Sequence, residues 1–204
     1  MLRYVTKRIG KAVTTLGHLV TLVWENPKLT TPTKMAVYNA CMVSTLLYGS
    51  DTWTTYSKEE RKLNTFHMCC LRRILSIQWS DKVPNAQVLE RAGLFTMFTL
   101  LRQRMLRWLC HVCWRMEDGR TPKDILDGEL ASGKRTCWPP PVRFKYICKR
   151  DMKALDINTE SCEEAAADRS RWHSVLRKQL MSGEEKILTT ANEKRVILDD
   201  SEKK

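Results

Sequence analysis

The chain has 204 residues and carries 35 Lys and Arg against 23 Asp and Glu, a formal charge of +12, with 43% hydrophobic residues but only 8 Gly and 7 Pro. That length makes one domain or two small ones, and the mixture excludes a disordered, collagen-like or low-complexity chain. The most apolar run, 35–49, is broken by Asn39, Ser44 and Thr45 and is shorter than the roughly 20 residues a bilayer requires, so no membrane partner is expected. Lys7, Arg8, Lys11 and His18 fall where a secretory leader needs an apolar stretch, so the reading is an intracellular protein, nuclear or cytoplasmic, without a signal peptide.

Helical periodicity runs through most of the chain. Over 6–24, Ile9, Val13, Leu16, Val20 and Val23 form an apolar stripe, while Lys7, Lys11, Thr14 and His18 form another. Pro27 ends this segment, and Thr31-Pro32 opens a helix of about 32–48 that is apolar almost all round and is expected at the centre of the core, with Gly49 closing it. Ser57 and Glu60 read as a capping box opening a helix of about 58–77. Leu63, Phe66, Cys70, Ile74 and Ile77 point inward there, and Arg61, Lys62, Arg72 and Arg73 point away. Asn85 is expected to cap a short helix ended by Gly93, and Thr96 to start the strongest helix, about 97–116. In that helix Leu101, Met105, Trp108 and Val112 make the core stripe, while Arg104, Arg107, His111 and Arg115 share a neighbouring face.

A break follows at 117–141, rich in Gly and Pro, and further helices are expected at about 142–154, 159–167 and 168–181, capped by Asn158 or Thr159 and by Asp168. A weakly amphipathic stretch, 184–198, reads as an exposed tail. Strand signals are few, so the fold class is all-α: a helical bundle, a second small helical basic subdomain, and a frayed helical tail. The corresponding divisions are 1–56, 57–116, 117–141, 142–182 and 183–204.

The charge is concentrated. Lys134, Arg135, Arg143, Lys145, Lys149, Arg150 and Lys153 face only Asp151 in the 134–153 window, and four arginines occupy 102–115 without an acid. Closely spaced phosphates are matched by clustered cations, and release of their counterions drives binding. Lys7, Lys11, Arg72, Arg73, Arg104, Arg107, Arg115, Lys134, Arg135, Arg143, Lys145, Lys149 and Arg150 are therefore the candidate nucleic-acid contacts; the competing reading is a set of solvated helix faces.

Eight cysteines in a chain of this kind read as free thiols in a reducing compartment. Cys110-His111-Val112-Cys113 lies mid-helix, and no second Cys-x-x-Cys accompanies it, which fits neither a zinc knuckle nor a redox motif. No phosphate-binding glycine loop, nucleophile elbow or metalloprotease motif occurs. Asp199-Asp200 is the only adjacent aspartate pair and lies in the tail, so no catalytic residue, metal or cofactor is expected.

A colinear series then carries a resemblance: Lys34-Met35-Ala36-Val37-Tyr38, Leu46-Leu47-Tyr48-Gly49-Ser50-Asp51-Thr52-Trp53, Cys70-Leu71-Arg72-Arg73-Ile74-Leu75, Leu106-Arg107-Trp108, Pro122-Lys123-Asp124 and Asp168-Arg169-Ser170-Arg171-Trp172. Over roughly residues 3–195 the chain resembles the region after the polymerase core of non-LTR (LINE-type) retrotransposon reverse transcriptases, particularly the RTE or BovB-like clade. The resemblance implies that 1–56 is thumb-like and that the remainder is a basic extension engaging RNA or an RNA–DNA hybrid with low specificity. It also implies that the polymerase palm and the endonuclease are absent from this chain, and that a palm fragment is a candidate partner in trans. Cysteine at 110 departs from that family's glycine, whereas Cys69, Cys113 and Trp114, near which arginine is frequent in the family, and the Cys137-Trp138-Pro139-Pro140 turn in place of its basic turn are what decay of arginine codons would produce. The alternative is a decayed helical remnant or protein-interaction module with no retained activity.

Overall fold

The computed structural model describes residues 2–117, 119–127, 144–157 and 168–201. Every regular element among them is helical, and none of these helices is long and apolar enough to cross a membrane. They divide into two compact units. The first takes in the described residues of Met1–Tyr48, Thr55–Leu100 and Ile187–Lys204; the second those of Gly49–Thr54 and Leu101–Lys186.

In the first unit, α1 (Leu2–His18) buries Val5, Ala12 and Leu16, a seven-then-four spacing that keeps one stripe inward. A π-helical turn, Val20–Trp24, follows and buries Trp24, whose indole N–H donates to the Leu16 carbonyl at 3.0 Å. The next helix is capped one residue earlier than the sequence suggests: Thr30, not Thr31, accepts the Thr33 N–H, and Pro32 sits in the first turn. The expected single helix of 32–48 is three consecutive pieces. These are α2 (Thr31–Val37), a π segment (Tyr38–Val43) and α3 (Ser44–Leu46), which together bury Met35, Tyr38, Met42, Val43 and Leu46. Gly49 closes the run at φ 72°, where a Cβ would be strained.

The box that opens α4 (Ser57–Ile74) is also shifted by one residue. Tyr56 is the capping position and Glu59 returns to it, accepting the Tyr56 N–H at 2.7 Å; Glu60 instead accepts from the Thr55 hydroxyl at 2.9 Å. Glu59 is buried, which requires that bond. Likewise Asn85 is the first residue of α5 (Asn85–Ala92) rather than its cap, and Gly93 ends that helix at φ 62°.

α6 (Met97–Cys110) starts where expected, with the Thr96 hydroxyl accepting the Thr99 N–H at 3.4 Å, and passes into a π turn, His111–Arg115. Within the expected turn-rich segment stands a short helix, α7 (Thr121–Asp127), with Pro122 in its first turn. α8 (Phe144–Ala154) and α9 (Arg169–Ser201) complete the elements, and Asp168 caps α9 by accepting the Ser170 N–H at 2.8 Å. The core of the second unit joins Met105, Leu106 and Leu109 to Ile147, Met152, Trp172, Leu176 and Leu180. Each side chain of that size contributes on the order of 1.5–3 kcal/mol through burial. Trp108 is only half-buried and meets Phe144 edge-on with centroids 5.1 Å apart, so it belongs to the edge of the stripe.

The expected interruption between 181 and 184 does not occur: α9 runs through it for 33 residues. Gly183 is there because of packing, since a Cβ at that position would lie 2.6 Å from the Leu155 side chain. This glycine marks a point at which a neighbouring side chain comes close to the helix. The expected helix at 159–167, its caps and the proline run lie outside the described residues.

Candidate nucleic-acid interface

The predicted cations of the first unit are used singly. Lys7 and Lys11 are exposed on α1, while Arg8 between them lies 5.0 Å from the Tyr4 ring centroid and 4.5 Å from that of Tyr48. Arg73 is exposed on α4, whereas half-buried Arg72 donates to the Val83 carbonyl at 2.8 Å and so ties α4 to the segment before α5.

This unit also buries a histidine, His67, that stands two residues before the Cys69-Cys70 pair. His67 is fully buried between the Tyr38 hydroxyl, 2.8 Å from Nδ1, and the Phe95 carbonyl, 3.2 Å from Nε2. A carbonyl only accepts, so Nε2 carries the proton and Nδ1 accepts from Tyr38 in the neutral ring. Burial lowers the His67 pKa to about 4, against a smaller opposing contribution from the Phe95 carbonyl. Burial likewise pushes the Tyr38 hydroxyl up and raises the Cys70 thiol to about 12. His67 is therefore a core hydrogen-bonding group. Its adjacency to Cys69 and Cys70 in the sequence is not a ligand set. No group of three or more His, Cys, Asp or Glu among the described residues could hold a metal ion.

The second unit gathers its charge. α6 supplies Arg104 and Arg107, the following π turn supplies His111, and the first two turns of α9 bring up Arg169 and His173. Partial burial first, and then the Arg104 and Arg169 guanidinium groups, lower the pKa of Arg107. Arginine stays ionised at any physiological pH, so like charges are held close together here. Arg107, Cys110, His111, Arg169, Trp172 and His173 line a cavity of about 380 Å³, and no carboxylate is among them. A concave, cationic, acid-free lining favours an anion with several oxygens.

Other predicted contacts are placed differently. Arg150 donates through Nε and Nη2 to Asp151 at 3.1 and 3.0 Å, and Arg102 Nε lies 3.7 Å from the same oxygen. Asp151 is 3% exposed, and a buried carboxylate needs such neighbours. Lys145 and Lys149 are exposed on α8. Lys134, Arg135 and Arg143 lie outside the described residues, as does the side chain of Arg115. Burial, and secondarily Asp151, raises the Cys148 thiol; with Cys110 also buried, the Cys-x-x-Cys pair serves the core more than the surface.

Arg169 and His173 are the site residues that the sequence reading missed. Their i, i+4 spacing places them on one face of a helix, but nothing local says that this face meets the Arg104–Arg107 face.

The chain is similar to a transposon-derived protein of Caenorhabditis elegans whose own activity is uncharacterized, at 22% identity over 154 residues, covering 71% of this chain and 54% of the relative. It therefore spans about half the length of that relative. No family model matches the chain, and no solved structure matches it. A transposon origin is what this likeness supports.

Proposed function

We propose, taking a transposon origin as the premise, that this chain is a non-catalytic nucleic-acid-binding module with low sequence specificity, corresponding to the region after the polymerase core of a LINE-type reverse transcriptase. The observation that carries the proposal is a cavity of the second unit lined by Arg107 and Arg169 with no carboxylate in its lining, and with the Arg104 charge close enough to lower the Arg107 pKa. Guanidinium groups bind phosphate oxygens in pairs of parallel hydrogen bonds, and contacts to the backbone position a polynucleotide without reading its bases. Exposed Lys145 and Lys149 would extend the same unit's grip. The chain itself would perform neither polymerisation nor cleavage; a palm acting in trans would supply synthesis.

Titration of the whole chain with a fluorescent RNA–DNA hybrid and with duplex DNA, each at two ionic strengths, tests the proposal. The expected result is micromolar or weaker affinity that falls with salt, with a log–log slope of about −3 if three to four phosphates are neutralised. Arg104→Glu combined with Arg107→Glu should weaken binding at least 10-fold while leaving the helical circular dichroism intact. Unchanged affinity in that variant would remove the proposal.

A second reading, a remnant with no retained activity, is favoured by the engagement of Arg72 and Arg150 within the fold rather than at its surface. Absence of binding to both duplexes at low salt would decide for it.

A further inference from the structure

Trp79 is 94% exposed, far more than any other large apolar side chain described. Such exposure is unfavourable for an indole unless something covers it. The side chain is also firmly presented. Trp79 opens a single 3₁₀ turn, Trp79–Asp81, whose Asp81 carboxylate accepts the Gln78 N–H at 2.8 Å and whose last carbonyl-bonded residue, Lys82, holds a left-handed conformation at φ 49°. The Arg72 bond to the Val83 carbonyl fastens the other side of the loop to α4.

Beside the indole lies a cavity of about 490 Å³ within the first unit. That size falls in the range of roughly 300–1,000 Å³ used for small organic ligands. Its lining combines three chemistries: the flat indole of Trp79, the cations Arg72 and Lys82, and the amides Gln78, Asn85 and Asn192, with no carboxylate. A nucleotide offers the π face of its base to the first, its phosphate to the second, and the donors and acceptors of the base edge to the third. An apolar protein segment would use the indole but would offer nothing to the polar and cationic part of the lining. A duplex would offer phosphates but no accessible base face.

We propose that this cavity holds one unpaired nucleotide of a single strand, stacked on Trp79 with its phosphate toward Lys82 and toward the Arg72 N–H groups not used on the Val83 carbonyl. The inference rests on the nucleic-acid-binding reading above and adds a substrate class to it: single-stranded RNA or DNA, bound by a surface separate from the Arg104–Arg107 face.

The test compares the whole chain with its Trp79→Ala and Trp79→Phe variants, using fluorescent oligo(U), oligo(dT) and the RNA–DNA hybrid. Oligo(U) has little structure of its own, and oligo(dT) separates the sugar preference from stacking. In Trp79→Ala, the affinity for at least one single strand should fall about 10-fold, with hybrid affinity within twofold. Trp79→Phe, which keeps a ring, should recover most of the loss. Because the indole is exposed, both variants should melt at the parent temperature. Single-strand affinity unchanged in Trp79→Ala, or an equal loss on the hybrid, overturns the stacking site while leaving the Arg104–Arg107 reading standing. A change in oligomeric state with unchanged oligonucleotide affinity assigns the indole to a protein contact and also overturns it. Failure of the parent chain to bind any of the three removes both proposals.

Discussion

The two units bury polar groups by opposite means. In the first, a neutral relay from Tyr38 through His67 to the Phe95 carbonyl crosses the core, and Arg8 and Arg72 each have a local task. In the second, a carboxylate, Asp151, is buried against two arginines, and Arg104 and Arg169 lie close enough to Arg107 to lower its pKa. Charge becomes a candidate site only where helices distant in sequence bring like charges together, and a stripe along one helix does not achieve this. The contrast makes the first unit sensitive to protonation and the second sensitive to the loss of a counter-charge.

Acid should separate the units most strongly. Above about pH 6.5, His67 is neutral in both folded and unfolded chains. As the pH falls below that, the unfolded chain takes up a proton that the folded chain accepts only near pH 4. Stability is therefore present above pH 6.5 and is lost as the pH falls toward 4, by about 3 kcal/mol for a shift of this size. Amide exchange measured across that window should show the first unit opening before the second, and His67→Gln should flatten the pH dependence. Equal loosening of both units would break the comparison.

Asp151→Ala comes next. It leaves Arg102 and Arg150 without their carboxylate and should destabilise the second unit by about 2 kcal/mol, less than for a fully enclosed pair because Arg150 is half exposed. The same change frees two cations, so hybrid affinity should rise a few-fold in the anisotropy titration. A fall in affinity would mean that Asp151 positions the arginines rather than merely neutralising them.

The smallest effect sharpens the picture of the second unit's packing. Gly183→Ala gains about 1 kcal/mol in helix propensity but forces Leu155 aside from a 2.6 Å approach. Overpacking costs about 1–3 kcal/mol, so a net loss of about 1 kcal/mol is expected in thermal melts. A stabilised variant would show that Leu155 moves without resistance.

Much of this fold was legible because its helices carry strong apolar stripes and ordinary end signals: Asp168 caps α9, and Gly93 ends α5. The errors were of kinds that local patterns cannot correct. Three caps stood one residue away because Thr31, Ser57 and Asn85 suit a cap chemically while the extended backbone falls on Thr30, Tyr56 and Pro84. The π turn at Tyr38–Val43 went unseen because that stretch is apolar almost all round, so one inserted residue displaces no clear stripe. At the candidate interface, Arg104 and Arg107 were visible as a pair, but Arg169 and His173 required knowing which helices meet. Trp79 was missed since a lone aromatic near a turn has no periodicity to mark whether it faces in or out.

The buried thiols have a practical consequence. Cys69 is exposed, whereas Cys70 in the first unit and Cys148 in the second are enclosed and resist ionisation. An alkylating reagent attacks thiolate, so those two sulfurs should stay silent until their own unit opens, while Cys69 marks time as an internal standard. Peptide mapping of the modified chain would then clock the breathing of each half separately, with no label added by engineering.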